Sequence, residues 1–314
     1  MAAIESLGIA VQLLTISADQ SGQRIDNFLL TRLKGVPKSR IYRLLRKGEV
    51  RVNKGRIGPD YRLSADDVIR IPPLRLAQRA CHVPGSGLRE SLDGSILYED
   101  DCCLVLNKPS GLAVHGGSGI NLGVIEALRA MRSGERRLEL VHRLDRDTSG
   151  CLLVAKTRAA LRNLQDQMRE RVVEKRYLAL VRGAWSPDVR EINAPLQKNS
   201  LQSGERVVRA DKDGKRALTR FRLLQRYAKA SLVEAELDTG RTHQIRVHCL
   251  LAGHPLAGDV KYGDAVFNKS LRGAGLRRLF LHAREISFTS PVNGQVISVS
   301  APLPEELQSV LEHL

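Results

Sequence analysis

Residues 142–150 of the chain read His142-Arg143-Leu144-Asp145-Arg146-Asp147-Thr148-Ser149-Gly150. This polar stretch ends in glycine and lies between two short apolar runs, residues 138–141 and 152–155, a pattern that predicts a strand, a loop and a second strand. A side chain in such a loop can point into a cleft, where a reactive carboxylate such as that of Asp145 is useful. The structural alternative is that Asp145 caps a turn and pairs with Arg143 or Arg146.

Composition and charge indicate a polyanionic partner. The chain has 314 residues, of which 42% are hydrophobic and 4% aromatic, so it can form two or three domains with a sizeable core but not a fold built on aromatic platforms. The net charge is +16, and ten basic residues against one acidic residue, Glu49, lie between Arg32 and Arg56. We interpret this segment as a phosphate-binding surface, because a merely solvated helix face normally mixes both signs.

Several kinds of site and location are poorly supported. The five cysteines are odd in number and include no C-x-x-C pair, which argues against a disulfide framework or structural zinc and fits a reducing compartment. The chain shows no secretory signal and no apolar run near the ~20 residues of a membrane span, so we expect a cytoplasmic protein without membrane contact. It also lacks a dinucleotide fingerprint, a phosphate-binding loop and clustered metal ligands, so we expect no cofactor and no metal.

The patterning divides the chain into four parts and predicts an α+β fold. Residues 1–21 are predicted to form an N-terminal leader with a strand near residues 11–17. Residues 22–71 predict a small domain of two short helices, the second capped by Ser39, and a hairpin. Residues 72–92 are rich in Pro and Gly and predict a linker. Residues 93–314 predict a larger domain with a mixed, largely antiparallel sheet, because its strands cluster without regular βαβ alternation.

Three further segments share glycine turns or polar positions beside apolar runs. They are Lys108-Pro109-Ser110-Gly111-Leu112-Ala113-Val114-His115, Lys175-Arg176-Tyr177 and Gly240-Arg241-Thr242-His243-Gln244-Ile245-Arg246-Val247-His248. Each alone has a structural explanation: a tight turn, a half-buried strand residue, and a helix capped by Thr242 with solvated or phosphate-binding side chains. In this order, and together with residues 142–150, they resemble the catalytic motifs of the RNA pseudouridine synthases that carry the HRLD form. Residues 22–71 resemble the S4 RNA-binding domain.

The resemblance implies a reaction and a role for each motif residue. Uridine becomes pseudouridine by an isomerisation in which the base leaves C1′ through N1 and returns through C5. Asp145 would be the essential carboxylate, acting as a nucleophile, as a base at C2′ or as an electrostatic stabiliser of the ribose, and the sequence does not choose among these roles. Arg246 would be its buried cationic partner. Tyr177 would stack on the base and help to remove the C5 proton.

The remaining predicted residues contact substrate or RNA. Ile245 would pack on the base, Arg143 would fill the space that the flipped base leaves, and Arg241 and Lys108 would contact phosphate or substrate. The RNA-binding residues of the S4 domain would be Lys38, Arg40, Arg43, Arg46, Lys47, Arg51 and Lys54.

The resemblance also implies a substrate class. We expect specific uridines of large-subunit (23S) ribosomal RNA to be modified by a monomer, since the relatives that act on transfer RNA often lack the S4 domain. The alternatives are a synthase acting on transfer RNA and a non-catalytic RNA-binding assembly factor. A methyltransferase would need a cofactor-binding glycine loop after a buried strand, which residues 116–119 do not provide.

Overall fold

The computed structural model describes residues 11–33, 36–74, 84–116, 122–132, 134, 138–200 and 206–314. The chain divides into two compact units, Met1–Ala80 and Cys81–Leu314. None of the helices in these described ranges has the length and apolar character needed to cross a bilayer.

The small unit packs two helices on a four-stranded antiparallel sheet. Its elements are β1 (Gln12–Thr15), a 3₁₀ turn (Ala18–Gln20), α1 (Ile25–Arg32), α2 (Lys38–Lys47), β2 (Arg51–Val52), β3 (Gly55–Arg56) and β4 (Val68–Ile71), with the strand order β1-β4-β2-β3. Its core includes Ile25, Leu29, Ile41 and Ile69, all fully buried. The predicted helices and hairpin are therefore present.

Two details of the small unit differ from the prediction. Strand β1 pairs along its length with β4, from Gln12 opposite Ile71 to Thr15 opposite Val68, so these residues belong to the unit's sheet and not to a separate leader. Residues 1–10 of the predicted leader lie outside the described residues. Helix α2 begins one residue before Ser39, and Pro37 takes the N-cap position; the fixed φ of proline suits a helix start. Gly48, the predicted stop, ends α2 in the left-handed region at φ 67°.

The large unit is built on one mixed sheet. Its strands are β5 (Ile96–Glu99), β6 (Cys103–Lys108), β7 (Glu139–Leu140), β8 (Ser149–Ala155), β9 (Glu174–Arg182), β10 (Glu191–Asn193), β11 (Leu196–Ser200), β12 (Arg206–Ala210), β13 (Leu218–Arg226), β14 (Ala230–Leu237), β15 (Leu281–Thr289) and β16 (Val296–Ser300). The main sheet runs β10-β13-β14-β9-β15-β8-β6-β5, with β16 on β15 and β7 on β8, while β11 and β12 form a separate hairpin. In the described part, β15 and β8 pair in parallel and the other pairs are antiparallel, as the sequence predicts.

Helices cover both faces of this sheet. They are α3 (Ser86–Asp93), α4 (Val124–Met131), α5 (Arg158–Glu170), α6 (Gln244–Leu251), α7 (Ala265–Ser270) and α8 (Glu305–Glu312). The seven residues of β8 are all buried. Alternate β8 side chains enter different clusters: Leu152 and Val154 pack with α4, whereas Leu153 packs with α5. A strand buried on both faces explains why residues 152–155 form a continuous apolar run.

The predicted linker is wrong at its C-terminal end. Residues 86–92 lie in α3, and Leu92 is fully buried in the same cluster as α4, with Leu88 packed against it. Two leucines four residues apart on a short helix are enough to attach it to the core. Residues 75–83, the centre of the predicted linker, lie outside the described residues.

Gly150 fixes the end of the 142–150 loop against the sheet. It has φ 106°, and a Cβ at this position would lie 2.2 Å from the backbone oxygen of Ala283 on the paired strand β15. Only glycine combines this left-handed conformation with so close a strand. The loop that connects β7 to β8 is therefore anchored to β15 at its C-terminal end.

Candidate active site

A cleft of about 470 Å³ opens in the large unit where the loop of residues 141–148, strand β9 and the start of α6 meet. Three of the four predicted motifs contribute to its walls. Six of the seven residues predicted for catalysis and substrate binding line the cleft: Arg143, Asp145, Tyr177, Arg241, Ile245 and Arg246.

Asp145 and Arg246 form the predicted ion pair in this cleft. Nη1 of Arg246 donates to Oδ2 of Asp145 at 3.3 Å, across 101 residues of sequence. The two side chains are 9% and 18% exposed, so the pair is largely shielded but open on the cleft side. The pairing predicted by the structural alternative is wrong: among the described residues Asp145 pairs with Arg246 and with neither Arg143 nor Arg146, and Arg146 pairs with Asp147, at 3.1 Å between Nε and Oδ1.

A second carboxylate, Asp259, holds the guanidinium of Arg246 in place. Nε and Nη2 of Arg246 donate to the two oxygens of Asp259 at 2.7 and 2.8 Å. Asp259 also accepts the backbone N–H groups of Lys261 and Tyr262. Burial alone would raise the pKa of Asp259, but Arg246 and these two N–H donors keep that pKa below its usual value. Because this bidentate ion pair uses Nε and Nη2 on one side of the guanidinium, Nη1 remains directed at Asp145.

Asp259 and two residues beside it, His243 and Tyr262, have contacts in the cleft that the sequence does not predict. His243 Nε2 lies 3.8 Å from Asp145 Oδ2, and its Nδ1 lies 2.8 Å from the hydroxyl of Tyr262. The Tyr262 ring also lies under the Arg246 guanidinium, 5.0 Å from its Cζ. Thr242 is not the cap of α6 as predicted; His243 takes that position in the left-handed region at φ 55°.

Tyr177 and Ile245 provide apolar walls for the cleft. Tyr177, on β9, is 6% exposed and Ile245, in the first turn of α6, is 4% exposed. Burial raises the pKa of Tyr177, and the nearby charge of Asp145 raises it further. The phenol therefore keeps its proton at neutral pH and can donate a hydrogen bond, but it is a poor base.

His142 fastens the loop to the strand that follows it. Its Nε2 accepts the backbone N–H of Leu153 at 3.1 Å. Burial lowers the pKa of His142 to about 4, so the imidazole is neutral and able to accept at neutral pH. The first residue of the HRLD motif thus has a structural role that the sequence does not predict.

Lys108, predicted to contact phosphate or substrate, is not among the described residues that line the cleft. It is fully buried, and its Nζ donates to the backbone oxygens of Pro109, Leu112 and Arg146 at 2.7, 2.8 and 3.0 Å. Burial lowers the pKa of Lys108 to about 7, while three carbonyl acceptors match the three N–H donors of the protonated ammonium. The side chain therefore joins its own turn to the loop, one residue beyond Asp145.

Basic side chains surround the mouth of the cleft. Arg143, Arg169, Arg171 and Arg241 are exposed there, and Lys175 is buried in the wall. Nη1 of Arg171 lies 3.1 Å from Oδ2 of Asp238, and Nε of Arg241 donates to the backbone oxygen of Arg216. Such a rim suits an anionic polymer that enters the cleft with its backbone at the edge.

The small unit carries the predicted RNA-binding residues on α2 and the hairpin. Six are exposed: Lys38, Arg43, Arg46, Lys47, Arg51 and Lys54. Arg40 is half-buried, and its Nε is buried without a hydrogen-bond partner in the described part of the unit. The exposed set forms a basic surface on a helix whose other side packs Ile41, Leu44 and Leu45 into the core.

Both units are similar in sequence to known proteins. Residues 103–251 match the family of RNA pseudouridylate synthases, and residues 23–69 match the S4 domain. The chain is 58% identical to ribosomal large subunit pseudouridine synthase C of Haemophilus influenzae, over 97% of this chain and 95% of the relative. It is also 58% identical to the protein of the same name from Escherichia coli, over 97% of each chain.

A solved structure shows the same fold. The chain of human RNA pseudouridylate synthase domain containing 4 is 28% identical, with a TM-score of 0.60 over 72% of this chain and 95% of that one. The match in sequence, in domain order and in fold leads to one conclusion. The chain belongs to the RNA pseudouridine synthase family, and in this chain an S4 domain precedes the catalytic domain.

Proposed function

We propose that this enzyme isomerises uridines to pseudouridine in large-subunit (23S) ribosomal RNA. The observation that carries the catalytic part of the proposal is Asp145, held in the cleft through Oδ2 by Arg246. The choice of RNA is supported by the names of the relatives at 58% identity and by the S4 domain.

We propose that Asp145 acts at the ribose. Breaking the N1–C1′ bond places positive charge on the sugar, which a carboxylate stabilises, attacks at C1′ or relieves by taking the C2′ proton. All three roles need an ionised oxygen facing the ribose. Because Arg246 and His243 both lie against Oδ2, we propose that Oδ1 is the reacting oxygen.

The base is held by the walls of the cleft. We propose that Tyr177 stacks on one face of the uracil and Ile245 packs on the other, since an apolar slot allows the detached ring to turn. The raised pKa of Tyr177 makes it a poor acceptor for the C5 proton, so stacking is the role that we retain for it. Arg143, exposed at the mouth, would enter the stack where the uridine has flipped out, and Arg241 would contact a phosphate.

We further propose that the enzyme acts as a monomer in the cytoplasm, without metal or cofactor. Residues of one chain supply Asp145, Arg246, Tyr177 and Ile245 to the same cleft. The reaction moves a bond from N1 to C5, transfers the C5 proton to solvent and needs no electron donor. Residues 22–71 would form the S4 domain with β1, and residues 93–314 with α3 the catalytic domain.

Tritium release tests the proposed function directly. Large-subunit RNA without prior modification, labelled at uridine C5, should lose tritium to water in the presence of the enzyme. Small-subunit RNA and transfer RNA with the same label are matched controls and should retain it. Release from transfer RNA alone would favour a synthase that acts on transfer RNA, and release from none of these RNAs would favour a non-catalytic assembly factor.

The basic surface of the small unit should set the salt dependence of RNA binding. In the triple variant Arg43→Gln, Arg46→Gln and Lys47→Gln, the slope of log affinity against log salt should fall by about 2 to 3, since each lost phosphate contact removes about 0.7–0.9. The control changes three exposed basic residues of the large unit, Lys229, Lys269 and Arg272, to Gln. Equal slopes for the two triple variants would contradict the S4 assignment.

A further inference from the structure

His243 lies beside the catalytic carboxylate, next to the same oxygen that Arg246 contacts. Its Nε2 lies 3.8 Å from Asp145 Oδ2, and its side chain is 18% exposed. This distance is longer than a hydrogen bond, but contacts at empty catalytic sites are often long and shorten when substrate is bound. The same oxygen therefore has two nitrogen neighbours, Arg246 Nη1 and His243 Nε2.

The hydrogen bonds of Tyr262 select the tautomer of His243. The Tyr262 hydroxyl accepts the backbone N–H of Val208 at 2.9 Å, and it lies 2.8 Å from His243 Nδ1. The hydroxyl can accept this N–H and donate its own proton to Nδ1, an arrangement that uses every donor. With the hydrogen on Nδ1 instead, the hydroxyl would accept twice and its own proton would have no acceptor among the described contacts. The first arrangement places the hydrogen of the imidazole on Nε2, which faces Asp145.

The backbone holds His243 at this place at some cost. Its φ of 55° is unfavourable for a residue other than glycine, and such strain persists only where the surroundings enforce it. The neighbouring Gln244 fixes this conformation through its buried side-chain amide. Its oxygen accepts hydrogen bonds from Thr239 Oγ1 and the backbone N–H of Arg241, and its nitrogen donates to the backbone oxygen of Leu218. The segment that presents the imidazole is therefore rigid.

From this arrangement we infer that His243 is a positioning residue for Asp145, a role that rests on the proposed function. Its Nε2–H, directed by Tyr262, binds Oδ2 when the ribose occupies the cleft, so that Oδ1 faces the sugar. Burial lowers the pKa of His243, as do Arg246 and Lys261, against the opposite effect of Asp145 and Asp259. The imidazole is therefore neutral at neutral pH and donates without adding a second full charge beside the ribose cation.

Three variants test the inference by steady-state kinetics on the RNA that the wild type modifies. His243→Ala should lower kcat by about 100-fold, the effect of a misplacement near 1 Å, with KM within about twofold of wild type. The kcat of His243→Gln should be about tenfold higher than that of His243→Ala, because the amide N–H of Gln can replace Nε2–H. Tyr262→Phe keeps the ring beneath Arg246 and removes the hydroxyl, so it should lower kcat less than His243→Ala does.

The double variant distinguishes this role from a structural one. If Tyr262 acts through His243, then His243→Ala with Tyr262→Phe should be no slower than His243→Ala alone. Additive losses, a wild-type kcat in His243→Ala, a loss confined to KM, or a Gln variant as slow as Ala would overturn the inference. Thermal unfolding of each variant identifies a folding defect, and an inactive wild type would instead count against the proposed function.

Discussion

Asp145→Asn should lower the rate of pseudouridine formation by about 10⁴-fold or more, the loss typical of removing an essential catalytic group. The amide has the shape of the carboxylate but neither its negative charge nor its basicity, so it serves none of the three roles proposed at the ribose. Stability should change little, because Arg246 keeps both of its hydrogen bonds to Asp259 and is not left buried without a partner. RNA affinity should also be retained, since the basic rim and the S4 surface are unchanged.

The chain offers a matched control two residues away. Asp147 lies in the same loop, but its carboxylate pairs with Arg146 and is 40% exposed. Asp147→Asn should therefore be close to wild type when tritium release, melting temperature and RNA affinity are measured side by side. Asp145→Ala should match Asp145→Asn, which excludes a contribution from slow hydrolysis of the new amide. Near-wild-type turnover in either Asp145 variant would place the reacting carboxylate elsewhere.

The sequence predicts the cleft-lining residues well because those residues occur in short contiguous motifs. Asp145, Tyr177 and Arg246 come from three segments, and the fold brings them into one cleft as the resemblance implies. The sheet was predictable for a similar reason, since period-two patterns and turn residues are local signals. The prediction of a linker was wrong for residues 86–92, because the neighbouring glycine and proline residues obscured the pattern of a helix that only two leucines attach to the core.

The errors and omissions concern partners that only the tertiary structure reveals. Lys108 was predicted to contact phosphate or substrate, and the sequence gives no sign that its buried ammonium binds three carbonyl oxygens and so joins its turn to the loop. Asp259 lies 13 residues after Arg246, a spacing that carries no local signal of pairing. His243 depends on Tyr262 and Val208, whose approach follows from the β11–β12 hairpin and not from any motif. Sequence thus located the reacting groups better than the groups that orient them.

Asp259→Asn should destabilise the enzyme and nearly inactivate it. The change leaves the largely buried Arg246 without its principal counter-charge and places amide N–H groups where Arg246 also donates, so we expect a loss of about 3–5 kcal/mol in the free energy of unfolding. Without the bidentate ion pair, Nη1 is no longer directed at Asp145, and kcat should fall by about 100-fold, as for other small misplacements near reacting atoms. Urea unfolding and single-turnover tritium release measure the two effects.

The pH dependence and a paired replacement separate the ion pair from other causes of instability. Because the pKa of Asp259 is lowered in the folded state, the contribution of its carboxylate to stability is complete above about pH 4 and is lost as the pH falls through the folded-state pKa. The difference in free energy of unfolding between wild type and Asp259→Asn should therefore narrow in acid. Glu174→Ala, which removes an exposed partner of Arg176, should cost far less. Replacing both Arg246 and Asp259 by apolar residues of similar size should recover much of the stability, because no buried charge then lacks a partner. It should not recover activity, since Asp145 would still lack the guanidinium that holds Oδ2. A double variant that regained both properties would show that the pair serves folding alone, and a pH-independent gap would show that the loss in Asp259→Asn comes from packing and not from charge.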